Sequence, residues 1–272
     1  MSKPIAPYIS VIMPIYNRSK WLPLITINIK NMLYPKDKLE FVILDDSEGD
    51  PLFSNQEEID KFQEEIKPVS LKYVRDNNKK TIGAKRNKLV KLSTHKIIAC
   101  MDSDDLYFPS YLDYAVSELQ NNKLSCVGSA EMLFCYPHED YKVTGIKCKA
   151  DRQIHEATMV FTKKHHQACR GFASKGVGEG AKMFDFMNNK KIKQLSIMNI
   201  MMCLCHQGNT CNKDMFKTAM PISGEIDSEV KKIINNILNI DGIRKLNTTT
   251  EDEAKAEDEP EPESCSDSET KG

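Results

Sequence analysis

No Gly-x-x-x-x-Gly-Lys-Ser/Thr run occurs in the 272 residues, which disfavours a P-loop NTPase. No Gly-x-Gly-x-x-Gly follows the first apolar run either, which disfavours a dinucleotide oxidoreductase. Excess charge is also missing. Lys and Arg number 38 against 39 Asp and Glu, so no bulk basic field argues for nucleic acid as a partner. There is no CxxC pair among the nine cysteines (100, 126, 135, 148, 169, 203, 205, 211 and 265). The odd count in a chain this long argues against a disulfide framework and predicts reduced thiols. Met1-Ser2-Lys3-Pro4 leads into an apolar strand with no signal-peptide core. The longest apolar stretch, Leu195–Cys205, is interrupted by Ser196 and Asn199, so no transmembrane segment is expected. These absences predict a soluble, cytoplasmic protein. No internal repeat is visible.

What is present centres on Lys96–Asp105. The apolar run Ile97-Ile98-Ala99-Cys100-Met101 ends in Asp102-Ser103-Asp104-Asp105. Such a run reads as a buried parallel strand with acids at its carboxyl end, where open α/β sheets bind ligands. Crowded carboxylates repel one another unless a cation shares them. Hard oxygen donors favour Mg²⁺ or Mn²⁺ over zinc, and Mg²⁺ commonly completes its shell with substrate phosphates. The plainer alternative is an acidic turn in which Asp caps the next helix.

The remaining pattern predicts an α/β fold with a mostly parallel sheet flanked by helices. Apolar strands are expected at Tyr8–Pro14, Leu39–Leu44 and Val69–Val74, and later at Ser125–Cys135 and Ala157–Thr162. Helical spacing is expected over Trp21–Met32 with Ser19 as cap, and over Glu57–Ile66 with Asn55 as cap. Further helices are expected over Thr81–Leu92, Pro109–Gln120, Gly178–Asn188 and Glu229–Ile243. The segment Glu251–Glu269 holds ten acids against one Lys, with no apolar period, and reads as disordered. The expected divisions are a domain over 1–220, a helical extension over 221–246 and an acidic tail over 247–272.

Four landmarks in order resemble family 2 glycosyltransferases of the GT-A fold, over roughly residues 8–215. They are Ile9–Arg18, Asp45-Asp46-Ser47, Gly83-Ala84-Lys85-Arg86-Asn87, and Asp102-Ser103-Asp104-Asp105 with Pro109 and Tyr111-Leu112 after it. The resemblance implies a Rossmann-like domain that binds a nucleotide-diphospho-sugar, most commonly a UDP-sugar, with Mn²⁺ or Mg²⁺. It places Pro14, Tyr16 and Asn17 at the nucleotide, with Tyr16 stacked on the base as an exposed aromatic can. Asp45 and Asp46 would accept hydrogen bonds from base and ribose, Arg86 would reach a phosphate or fix the loop, and Asp102 and Ser103 would lie against the donor. Asp102 and Asp104 map onto the DxD metal motif, and Asp105 onto a helix cap or the acceptor side. Cys205-His206-Gln207-Gly208-Asn209-Thr210 resembles the family's late His segment, which makes His206 a candidate for the metal or the diphosphate. Near Gly178-Glu179-Gly180 the family usually shows Glu-Asp, one carboxylate acting as general base. Gly180 stands in place of the second acid, so the resemblance offers Glu179 as base with Asp185 as alternative.

Inverting transfer to a glycan, protein or lipid hydroxyl follows from this resemblance, the acceptor being set by Tyr136–His155 and Lys163–Val177. Two other classes stay open. A degenerate member would bind nucleotide-sugar, or scaffold partners, without turnover. A sugar nucleotidyltransferase would also use strand-end acids, but would show a Gly-rich basic loop where Tyr16-Asn17-Arg18 stands.

Overall fold

The computed structural model describes residues 6–147, 154–184, 191–209 and 211–240. Among them the first strand, β1 (Ile9–Ile15), is buried along its whole length, as its near-continuous apolar sequence requires. It lies between β2 (Leu39–Asp45) and β4 (Ile97–Cys100), parallel to both, and β3 (Ser70–Arg75) extends the sheet beyond β2. The chain therefore winds outward from β1 to β3 and then crosses back to β4. The order reverses between β1 and β4, and there a crevice opens at the carboxyl ends of the strands. Tyr16 follows one of these strands and Asp102 the other.

The crossovers are α1 (Leu22–Asn31), α2 (Gln56–Glu65) and α3 (Ile82–Leu92). Asn55 caps α2 by accepting the Glu58 amide at 3.0 Å, as expected from sequence. Thr81 caps α3 in the same way, accepting from Ala84. Ser19 caps nothing. A 3-10 turn over Ser19–Trp21 leads into α1, whose first turn carries proline, and no side chain caps it.

The sheet is mixed rather than wholly parallel. Beyond β4 lies β9 (Val160–Thr162), antiparallel to both β4 and β6 (Cys126–Gly128), and β10 (Ile192–Gln194) closes that edge. A second, five-stranded sheet contains β5 (Asp105–Tyr107), β7 (Glu131–Tyr136), β8 (Lys142–Lys147), β11 (Met201–Leu204) and β12 (Met220–Pro221). The single strand expected over Ser125–Cys135 is thus two, one in each sheet. The break falls at Ser129. Its amide donates to Thr158 Oγ1 and its hydroxyl to the Leu195 carbonyl, so neither ladder continues through it.

Helix α4 (Tyr111–Asn121) covers the β6–β9 side, and α6 (Ser228–Leu238) packs on α1 through Val230 and Ile234. The short α5 (Lys163–Ala168) follows β9. The expected helix over Gly178–Asn188 is a 3-10 turn over Glu179–Phe184, with 185–190 outside the described residues. Residues 241–272, and with them the acidic tail, also lie outside them. Among the described residues no helix is long and apolar enough to cross a membrane.

Candidate functional site

Strand ends supply the acids, and the first two turns of α3 supply the cations that hold them. Lys85 and Arg86 are adjacent and buried, and each serves a different part of the crevice. Lys85 Nζ donates to the Ile15 carbonyl at 2.9 Å and to Asp46 Oδ1. Burial lowers the Lys85 pKa and the Asp46 carboxylate opposes that shift. Asp46 also accepts the Lys80 amide at 2.7 Å. The Lys85 ammonium sits 5.6 Å from the Tyr16 ring, and Lys79 lies over the same ring at 4.1 Å. The Tyr16 hydroxyl accepts from Lys79 at 2.8 Å and donates to Glu48 at 3.1 Å. Asn17 takes a left-handed backbone, donates its amide to Ser47 Oγ at 2.6 Å and accepts the Asp50 amide at 3.3 Å. Pro14 is buried within β1 opposite Leu44.

Asp45 is engaged wholly within the chain. It accepts from the Ser47 amide and hydroxyl, the Leu52 amide (2.7 Å), the Tyr73 hydroxyl (2.7 Å) and Arg75 Nη1 (3.2 Å). A carboxylate offers about four lone-pair sites, so these five donors leave none for a nucleobase. Burial favours the neutral acid, but the donors outweigh it and hold the carboxyl below the usual carboxylate range. In this structure Asp45 braces the loop rather than presenting an open acceptor.

Arg86 organises the second part. Its Nη2 donates to Asp102 Oδ1 at 2.9 Å and its Nε to Glu179 Oε1 at 3.0 Å. Its Nη1 is buried with no acceptor among the described residues. Burial disfavours the guanidinium charge, yet Asp102, Glu179 and Glu156 hold its pKa well above the ordinary value. Burial raises the Glu179 pKa above the usual glutamate range, with Glu156 adding to the effect and Arg86 opposing it. Glu179 can approach α3 because residue 83 is glycine. A Cβ there would lie 1.8 Å from the Ala173 carbonyl oxygen and 2.9 Å from Glu179 Cβ.

Asp104 pairs with Arg18 Nη2 at 3.2 Å and faces His206 Nε2 at 3.3 Å. Burial raises its pKa, but His206 and the Arg18 charge prevail and lower it. The His206 ring packs on Trp21, and its Nδ1 accepts the Gly208 amide at 3.0 Å. Its Nε2 lies between Asp104 Oδ2 and, at 3.1 Å, Asn209 Nδ2. His206 Nε2 is thus brought beside Asp104. Ser103 is buried, and Asp105 opens β5 opposite Cys203 instead of capping a helix. Burial among Cys203, Asp104 and Asp102 pushes its carboxyl well above the usual range.

A cleft of about 420 Å³ brings together Arg86, Asp102, Asp104, Glu156 and Glu179, and Asn209 and Lys213 line it as well. Asp185 lies outside the described residues. Among those described, no three His, Cys, Asp or Glu side chains converge to hold a metal ion. The donor set nevertheless fits a hard divalent cation. Asp102 bonds Arg86 through Oδ1, and Asp104 meets Arg18 and His206 through Oδ2; the other oxygen of each acid could serve a cation, and Mg²⁺-type sites draw their remaining ligands from substrate phosphates. Lys85, Arg18 and Glu156 were not singled out from sequence. Lys85 and Arg18 each stand inside one of the four landmarks, whereas Glu156 carries no local signal.

The sequence model of Glycosyl transferase family 2 matches residues 10–191. An uncharacterized glycosyltransferase of Haemophilus influenzae is 31% identical over 126 residues, which is 45% of this chain and 36% of that protein. The chain thus spans about a third of that relative. Staphylococcus aureus TarS 1–349 in complex with UDP-GlcNAc superposes with a TM-score of 0.55 at 15% identity, over 85% of this chain and 65% of that one. The mannosyltransferase PcManGT of Pyrobaculum calidifontis, in complex with GDP-Man and Mn²⁺, gives 0.50 at 18% identity, over 79% and 62%. At such identities the likeness is one of fold.

Proposed function

The chain belongs to glycosyl transferase family 2, and we propose that it moves a sugar from a UDP-sugar to an acceptor hydroxyl with inversion at the anomeric carbon. The carrying observation is the convergence of Asp102, Asp104, Arg86 and Glu179 in one cleft, at the point where the strand order reverses. TarS in complex with UDP-GlcNAc supports the choice of donor, and PcManGT in complex with Mn²⁺ supports the choice of cation. Tyr16 offers the base a ring face beside the Lys85–Asp46 pair. Asp102 and Asp104 would hold Mn²⁺ or Mg²⁺ together with the diphosphate, and His206 and Arg18 offer further donors beside Asp104. Bound there, the cation would neutralise charge developing on the leaving nucleotide.

Arg86 keeps Asp102 oriented, and a cleft carboxylate takes the proton of the attacking hydroxyl. Among the described residues Glu179 and Glu156 are the candidates for that base, because Asp102 and Asp104 serve the metal side; Asp185, the alternative from sequence, lies outside them. The test is nucleotide release from UDP-GlcNAc by the purified chain with Mn²⁺, alongside thermal shifts with UDP and GDP. A transferase is stabilised by its nucleotide and releases it from the sugar. Stabilisation without release would favour the binding-only reading that Gly180 invites. No stabilisation by either nucleotide, with or without Mn²⁺, would refute the donor site.

A further inference from the structure

Position 180 is where the family resemblance expects an acid and the chain has glycine. The backbone does not demand it, since Gly180 lies outside the left-handed region. Space does. A Cβ on residue 180 would lie 2.6 Å from Glu156 Cγ and 2.7 Å from Glu156 Oε1. The Gly180 amide donates to that same Oε1 at 2.8 Å. The Glu156 carboxylate therefore fills the volume that a side chain at 180 would need, and the missing acid is replaced in space from another part of the chain.

The turn that carries Glu156 is firmly held. Glu156–Thr158 forms a 3-10 turn directly before β9. Thr158 Oγ1 accepts the Ser129 amide at 2.8 Å, and the Met159 carbonyl accepts the Cys100 amide at 2.8 Å, which ties the turn to the end of β4 beside Asp102. Glu156 is half-buried and lines the cleft with Asp102, Asp104 and Glu179. Glu179 differs. Its side chain is only 5% exposed, and it is bound to a guanidinium that also holds Asp102. Glu179 thus has one oxygen engaged by a buried arginine and little surface that an acceptor hydroxyl can reach, whereas Glu156 is half-buried on the cleft wall and forms no ion pair among the described residues.

We propose that Glu156 is the general base and that Glu179 is a positioning residue acting through Arg86 on Asp102; this rests on the transferase reading above. In the step, Glu156 takes the proton of the acceptor hydroxyl as its oxygen bonds to the anomeric carbon. The bond from that carbon to the diphosphate oxygen breaks, and the electron pair leaves with the nucleotide.

The full chain is tested with UDP-GlcNAc and Mn²⁺, water serving as acceptor, by following UDP release. Glu156→Gln cuts release by about a hundredfold or more, the usual worth of a general base. UDP affinity in Mn²⁺, read by calorimetry, changes less than about twofold because no donor contact is removed. Glu179→Gln has the opposite signature, weakening UDP binding in Mn²⁺ by loosening Asp102. Gly180→Asp alone lowers the melting temperature through its clash with Glu156. Combined with Glu156→Ala it is tolerated, and it recovers about tenfold or more of the release lost in Glu156→Ala alone. Wild-type release by Glu156→Gln, with release lost in Glu179→Gln, would overturn the assignment while leaving the transferase reading intact. Absence of release from the wild-type chain would overturn both.

Discussion

Replacing Asp45 by Asn separates a brace from a nucleotide contact. The side chain is fully buried and accepts from five donors, on both oxygens. Asn keeps one acceptor oxygen and turns an N–H₂ toward the other set of donors. On one side that set includes the Leu52 amide, on the other the Ser47 amide, and neither backbone N–H can reverse its role. One buried amide is left unpaired, at about 1–3 kcal/mol. Loss of the charge costs less against Arg75, which is 35% exposed and screened, so the total comes to about 2–4 kcal/mol. For a chain of this size that lowers the melting temperature by roughly 5–12 °C. The pH dependence has a definite sign. The folded pKa of Asp45 is lowered, so its contribution is full above the unfolded value and is lost as pH falls through the folded one. The difference between wild type and Asp45→Asn therefore narrows below roughly pH 4. Thermal unfolding at pH 7 and at pH 3 reads both effects. A variant that melts within about 2 °C of wild type at pH 7 and loses only UDP affinity would refute the brace.

Four other outcomes follow from the same contacts. Asp104→Asn keeps the fold but abolishes the Mn²⁺-dependent part of stabilisation by UDP in a thermal-shift titration; undiminished stabilisation would remove Asp104 from the metal side. Lys85→Met leaves the Asp46 carboxylate buried without its cation and costs about 3–5 kcal/mol, seen as a fall in the urea midpoint. Tyr16→Ala weakens UDP by about tenfold through lost stacking, whereas Tyr16→Phe retains most of the affinity in calorimetry. Ending the chain at Leu246 leaves the melting temperature unchanged, because the removed residues supply charge and proline but no apolar period; a fall of several degrees would show that they pack on the body.

Strand-end acids were legible because their signal is local. A run such as Ile97–Met101 must be buried, and the first charged residues after it must mark where the strand leaves the core. The same holds for the Asn55 cap, whose side chain reaches an amide three residues away. Ser19 failed as a cap because the chain first makes a 3-10 turn that seats Trp21 in the core and against His206, a contact set by a residue far along the chain. Likewise Ser125–Cys135 reads as one apolar run, and only the side chains of Ser129 and Thr158 divide it between two sheets.

The sequence by itself determined the order of strands and helices around the crevice and the presence of acids at its mouth, since periodicity and charge act over a few residues. Tertiary structure decided what each acid does. Asp45 is filled by Leu52, Tyr73 and Arg75, Asp46 is neutralised by Lys85, and Asp102 is joined to Glu179 through Arg86. Glu156 enters the space beside Gly180 from 24 residues away. The physical reason is that a carboxylate's availability depends on which donors surround it after folding, and those donors come from segments whose separation along the chain carries no local mark.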